Sequence, residues 1–349
     1  AACGSDPTPT PVPAKAPAAA APAAPDPTAT PKPAAAAPAP TATPVPPWKP
    51  TKDITWIVPY SPGGGFDAYS RALADVINKK HLPKGIEVIV KNTPGSEGRT
   101  GLLNVWRSRP DGHTIGITDG SGAATFQALK GVKEAGYDIS KIPFLGNPVS
   151  EPLMLSANKN SKVKSAADLK NLKGDVPIVA VGNSNILQWV VLSETLGFTP
   201  NYITGYSGSS EMMIALARGD GELGIMNVTS QLQFMDSGDI NEIVIFDDKK
   251  NKYAPDALPS KEGIGESIFF STTRPISISP ETPDNIVEWW RGVFDSVLAD
   301  PDFLAWGEKA RRPIAPLSGA ESSKALSDQV QRATAVKDKA LAVFDKLGK

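Results

Sequence analysis

One cysteine, Cys3, and two histidines, His81 and His113, are all that this 349-residue chain offers to thiol or imidazole chemistry. A lone cysteine excludes an internal disulfide and a cysteine-built metal cage, and so little imidazole argues against histidine-based catalysis. No metal site and no cofactor are therefore expected. An excess of one charge is lacking too: 36 Lys and Arg stand against 37 Asp and Glu. No overall field draws in nucleic acid or an anionic bilayer, so any anion site has to be local. No uninterrupted apolar run of about 18 residues occurs that could cross a membrane as a helix. What is present, at 40% hydrophobic residues, suffices to bury one large or two modest cores.

The ends carry targeting information. The chain opens Ala1-Ala2-Cys3-Gly4-Ser5-Asp6, and small residues directly before a cysteine resemble the end of a lipobox. In that reading the signal peptide has been removed and Cys3 is the lipidated first residue of a lipoprotein. From Gly4 to about Pro50 the chain is almost wholly Ala, Pro and Thr, with no aromatic residue before Trp48. Such a stretch buries too little surface to offset its ordering entropy, and proline biases it toward extended conformations. At roughly 3.1 Å per residue, about 45 residues span on the order of 100 Å from a lipid anchor. The alternative is a low-complexity tail with no anchoring role.

From Asp53 the texture changes. Ile54 to Tyr60 reads as a buried strand, Ser61-Pro62-Gly63-Gly64-Gly65 as a turn, and the following residues as a helix with Phe66, Tyr69, Leu73, Val76 and Ile77 on one face. Ile86 to Val90 reads as a strand, Gly98 to Arg109 as a helix, His113 to Thr118 as a strand, and Ala123 to Lys130 as a helix. The same alternation resumes past Ser150: strand Pro177 to Val181, helix Ile186 to Leu196, extended Asn201 to Tyr206, a helix to Arg218, then strands Gly221 to Met226 and Ile243 to Phe246. The last third reads as mostly helical, with Trp289, Trp290, Phe294 and Leu298 on one pattern and a charged helix over Ser322 to Leu347. This predicts two α/β lobes: a discontinuous first lobe of residues 51–150 and 268–349, and a second of 151–267, after the 1–50 anchor and linker. A continuous two-domain arrangement remains the alternative.

Ligands of open α/β sheets bind beyond the carboxyl ends of strands, where loops enter helices. Four segments rich in Gly, Ser or Asn fall there: 60–67, 118–122, 182–185 and 206–210. Glycines 63 to 65 let backbone amides approach a ligand, and the helix that follows presents unpaired N–H groups and a positive dipole end. That combination holds a carboxylate without a formal positive charge. Duller readings stand beside these. The glycines can simply make a tight turn, Ser184 and Ser209 can be N-caps, Asp67 is suited to pair with Arg71 at i,i+4, and Tyr60 and Tyr206 can line a core edge. A phosphate loop is absent, since Phe66 and Asp67 follow the glycines, and Gly205-Tyr-Ser-Gly-Ser209 misses the nucleophile-elbow pattern at its last position.

The strand Ile54 to Tyr60 followed by Ser61-Pro-Gly-Gly-Gly-Phe-Asp67 resembles the opening strand and Pro-Gly-Gly-Gly-Thr/Ser-Asp loop of the extracytoplasmic receptors of tripartite tricarboxylate transporters, the Bug proteins. Asn92-Thr-Pro-Gly-Ser-Glu-Gly98 with Gly101 resembles their Asn-x-Pro-Gly-Ala-Gly-Gly segment, and Pro110-Asp-Gly-His-Thr114 their Pro-Asp-Gly-Tyr-Thr; the spacing agrees from about residue 53 to 315. The resemblance implies a type II periplasmic-binding-protein fold, two lobes closing on a small organic carboxylate, and a pair of membrane permease subunits as partners of a monomeric receptor. It places ligand-binding residues at Tyr60, Ser61, Gly64, Gly65 and Asp67 on one lobe and Ser184, Tyr206 and Asn227 on the other, with Ser121 and Asn183 added by loop position. Phe66 stands where a small hydroxyl residue is common, Glu97 replaces a glycine, and Ser207 replaces a basic residue. Loss of the hydroxyl at Phe66 and of the charge at Ser207 points away from citrate-like acids toward an apolar or aromatic monoacid or diacid. A ligand-binding sensor for a signalling partner, or a small hydrolase using Ser184 or Asp67, are the competing readings.

Overall fold

Ile54, Trp56 and Val58 are fully buried because the strand that carries them lies between two parallel neighbours with helices packed over it. The computed structural model describes residues 48–347, apart from Ser207 and the side chain of Asn183, so Cys3 and most of the Pro-rich stretch lie outside the described residues. In chain order the first elements are β1 (Ile54–Val58), α1 (Gly65–Lys80), β2 (Val88–Asn92), α2 (Arg99–Trp106), β3 (Thr114–Ile117), α3 (Gly120–Lys130), α4 (Val132–Ala135) and β4 (Phe144–Asn147). Next come β5 (Ser150–Asn158), β6 (Asp175–Val179), α5 (Gly182–Leu196), β7 (Thr199–Ile203), α6 (Ser209–Arg218), β8 (Leu223–Asn227), α7 (Val228–Asp236), β9 (Ile240–Ile245), β10 (Leu258–Pro259) and α8 (Ser260–Ile264). The chain ends with β11 (Ser271–Thr273), β12 (Ile276–Ile278), α9 (Asp284–Leu298), α10 (Pro301–Lys309), β13 (Leu317–Ser318), α11 (Gly319–Ala335) and α12 (Lys337–Lys346).

Two mixed sheets result. The first runs β13-β4-β12-β3-β1-β2, parallel from β3 to β2 and antiparallel where β12 meets β3 and β4. The second runs β10-β9-β5-β8-β6-β7, with β11 pairing antiparallel to β5. The chain passes from first sheet to second between β4 and β5 and returns between β11 and β12. Each sheet has its own core. Trp56, Tyr69, Trp290 and Phe294 anchor the first, and Trp189, Ile178, Ile225 and Phe246 the second.

Several expectations need correction. Trp48 belongs to the folded part, not to the 1–50 linker. Its ring meets His113 at 5.4 Å and Trp289 at 5.0 Å, both edge-on, because an aromatic beside an apolar helix face gains more from docking than from solvent. The charged C-terminal helix is two helices meeting at Val336. Leu326 of α11 packs beside α3, whereas Ala340 and Phe344 of α12 enter the core of the second sheet. A straight helix cannot serve both cores, so the chain breaks, and α12 packs against α5 and the end of α3 at the second core instead of continuing along the first. Two segments read as loops are helical: Gly120 to Gly122 and Gly182 to Asn185 form the first turns of α3 and α5. Neither Ser184 nor Ser209 is an N-cap; Val181 and Gly208 hold those positions.

Candidate functional site

The residues expected on the first lobe form one continuous entrance to the 16-residue helix α1. Ser61 and Gly64 are exposed, and Gly65 is half-buried. Asp67 sets the loop's shape. One carboxylate oxygen accepts the Gly63 amide at 2.9 Å, the other accepts Asn92 Nδ2 at 3.0 Å, and Arg71 approaches within 2.9 Å. Burial pushes the Asp67 carboxyl up, but Arg71, the Gly63 amide and Asn92 outweigh it and hold the group below its ordinary range. The i,i+4 pair with Arg71 is thus formed, and the Asp67 carboxylate is engaged within its own lobe.

Tyr60, at the end of β1, donates its hydroxyl to Asp119 at 2.8 Å and lies 3.1 Å from the Glu97 carbonyl. Burial, followed by the Asp119 carboxylate, pushes the Tyr60 hydroxyl well up. Asp119 also caps α3 through the Gly122 amide at 2.9 Å. Enclosure raises its carboxyl, opposed by that amide and by Tyr60. The cavity beneath, lined by Glu97, Thr118, Asp119, Gly122 and Tyr137, measures about 20 Å³. That is room for a water, not for a carboxylate ligand.

Arg274, in the return between β11 and β12, is the centre that sequence reasoning missed. It is 3% exposed, and its guanidinium lies 5.1 Å from the Phe66 ring and 5.4 Å from Tyr69. A Cβ on Gly65 would stand 3.2 Å from Arg274 Nη2, so glycine there leaves the arginine its place. Arg274 Nη1 donates to Glu151 at 3.1 Å. Glu151 also accepts Asn227 Nδ2 at 3.0 Å and the Thr229 amide at 2.8 Å. The signal available was a charged residue inside each of two apolar runs, Ser150-Glu-Pro-Leu-Met-Leu155 and Thr273-Arg-Pro-Ile276; no motif marks either.

On the second lobe, Asn227 therefore connects through Glu151 and Arg274 to Gly65 and Phe66. Ser121 is buried, donating to the Ser271 carbonyl at 2.8 Å and accepting the Thr273 amide at 3.2 Å. It ties α3 to the returning strand. Ser184 is half-buried in the first turn of α5, and Tyr206 is half-buried against the cluster of Val181, Met212 and Leu216. Asn183's side chain and Ser207 lie outside the described residues. Among the described residues no group of three or more His, Cys, Asp or Glu side chains could hold a metal ion, and no helix is long and apolar enough to cross a membrane.

A family model described as the tripartite tricarboxylate transporter family receptor matches residues 70–340. Protein BugT of Bordetella pertussis is 24% identical over 295 residues, covering 81% of this chain and 87% of that one. A solved structure from R. palustris with adipate superposes with a TM-score of 0.72 at 20% identity, over 83% of this chain and 98% of the other. MatC from Rhodopseudomonas palustris, solved with bound malate, gives 0.67 at 19% identity over 82% and 99%. The two-lobe fold is shared with both solved proteins.

Proposed function

Since this chain belongs to the tripartite tricarboxylate transporter receptor family, we propose that it captures a small organic carboxylate between its two lobes and delivers it to the membrane permease subunits of such a transporter. The observation that carries this is the exposed Ser61 to Gly64 loop, held by Asp67 at the start of a 16-residue helix. Unpaired amides and the positive dipole end of such a helix favour an anion. The solved relatives with adipate and malate are two carboxylate cases of the same fold.

In this reading Tyr60, Ser61, Gly64 and Gly65 meet the ligand from one side, and Asn183, Ser184 and Tyr206 from the other. Asp67, Ser121, Asn227 and the Tyr60 hydroxyl hold the loops that do so, because these polar atoms are already engaged, which leaves the Tyr60 ring as its ligand-facing part. Lobe boundaries fall near residues 150 and 274, not 268 as the sequence suggested, because β11 pairs with β5 of the second sheet, and Glu151 and Arg274 lie at the crossing. The reading includes a monomeric extracytoplasmic receptor with no catalytic step, Cys3 as the lipid attachment point and the Pro-rich stretch as its spacer. A panel of mono- and dicarboxylates in a thermal-shift assay tests it: stabilisation should grow with ligand concentration, because a ligand bound only by the native state adds RT ln(1 + [L]/Kd). Stabilisation by a sugar or an amine, with none from any carboxylate, removes the reading.

A further inference from the structure

The turn between β2 and α2 holds two consecutive non-glycine residues in the left-handed region, Ser96 at φ 48° and Glu97 at φ 54°. A residue with a Cβ stays there only where its surroundings over-determine the backbone. Two contacts do so here: the Glu97 carbonyl lies 3.1 Å from the Tyr60 hydroxyl, and the Gly98 amide donates to the Gly95 carbonyl at 3.0 Å. The effect is to send the Glu97 side chain across to the second lobe. Its Oε2 lies 3.2 Å, and its Oε1 3.7 Å, from where a Cβ on Gly182 would stand. Gly182 is at φ 70° and is the first residue of the 15-residue helix α5. The end of the second lobe that most favours an anion thus has a carboxylate of the protein itself against it. With Asp119 also bearing on the Tyr60 hydroxyl after burial, this side of the site carries two acidic groups.

We infer that Glu97 determines specificity: a ligand held by one carboxylate at Ser61 to Gly65 has to present an uncharged, hydrogen-bond-donating group, such as an amide, toward Glu97, and a second carboxylate there is rejected. The inference rests on the carboxylate-receptor reading above and narrows it to monoanions. Its physical basis is that discrimination comes as readily from repulsion of the wrong ligand as from attraction of the right one. Glu97 is exposed in the structure, so its repulsion of a second carboxylate grows as the ligand closes on it and displaces the water between the two charges.

The test is calorimetric titration of the full chain, wild type, Glu97→Gln and Glu97→Gly, with matched pairs of diacid and monoamide: succinate, adipate and suberate against their half-amides. Wild type should bind at least one half-amide about tenfold or more tightly than its diacid, and Glu97→Gln should shrink that ratio about tenfold. Glu97→Gly suits the left-handed backbone and keeps the comparison available if the glutamine variant folds poorly. Equal or tighter binding of the diacid by wild type, or an unchanged ratio in both variants, overturns the inference while leaving a carboxylate receptor. No binding of any diacid or half-amide by any variant overturns the inference, and the carboxylate reading falls with it only if the thermal-shift panel of mono- and dicarboxylates is blank as well.

Discussion

Replacing Arg274 by methionine should be among the most damaging single changes in the folded part. The Arg274 and Glu151 side chains are 3% and 0% exposed and meet at 3.1 Å. Methionine fills most of the arginine stem's volume, so the change isolates the charge. Glu151 would keep Asn227 and the Thr229 amide but lose its only salt-bridge partner among the described residues. Removing one member of a buried pair costs about 3–5 kcal/mol, because the other is left charged and desolvated. Loss of the cation over Phe66 and Tyr69 adds about 1 kcal/mol. At roughly 2 °C per kcal/mol for a folded part of this size, the melting temperature should fall by about 8–12 °C. Urea unfolding of Arg274→Met, Glu151→Gln and the double variant gives the coupling directly. The double variant should be less destabilised than the sum of the singles by about 2 kcal/mol or more. A cost below about 1 kcal/mol for Arg274→Met, or strict additivity, refutes the view that this pair joins the two sheets.

The glycines of the two motif segments should divide by role. A Cβ on Gly101 would stand 2.7 Å from Pro59 Cα, so Gly101→Ala should cost about 1–3 kcal/mol in urea titrations. A Cβ on Gly64 meets only the Ser61 carbonyl, at 3.9 Å, so Gly64→Ala should leave stability within about 0.5 kcal/mol yet weaken carboxylate binding. Asp67 has a folded-state pKa below its ordinary value of 3.8. Its contribution is fully present above that ordinary value and is lost as pH falls through the depressed one. Urea midpoints between pH 5 and pH 2 should therefore fall less steeply in Asp67→Asn than in wild type, and identical slopes would contradict the assignment. Asp119 has the opposite sign. Its raised carboxyl favours folding below its ordinary range, and that contribution is lost as pH rises through the raised value. Trp48→Ala should lower stability by about 2 kcal/mol through lost contact with His113 and Trp289, read as a melting shift.

The sequence by itself determined the local grammar. Alternating strand and helix patterns, the glycine turn before Phe66, the spacing of Asp67 and Arg71 and the order of two motifs were enough for the fold class and the family, because each depends on residues a few positions apart. It did not announce β5, the centre of the second sheet. That segment is buried almost throughout and shows no alternation, and it carries Pro152 where it pairs with β11. Tertiary structure alone decided the contacts between distant segments: Arg274 meets Glu151 across 123 residues, Glu97 reaches Gly182, and α12 leaves α11 for the other core. Hydrophobic periodicity records which face of an element is buried, not against what. A buried charge becomes legible only when the chain's path shows which opposite charge shares its low-dielectric surroundings, and the same path turned an odd glutamate in a glycine turn into a candidate determinant of what the cleft accepts.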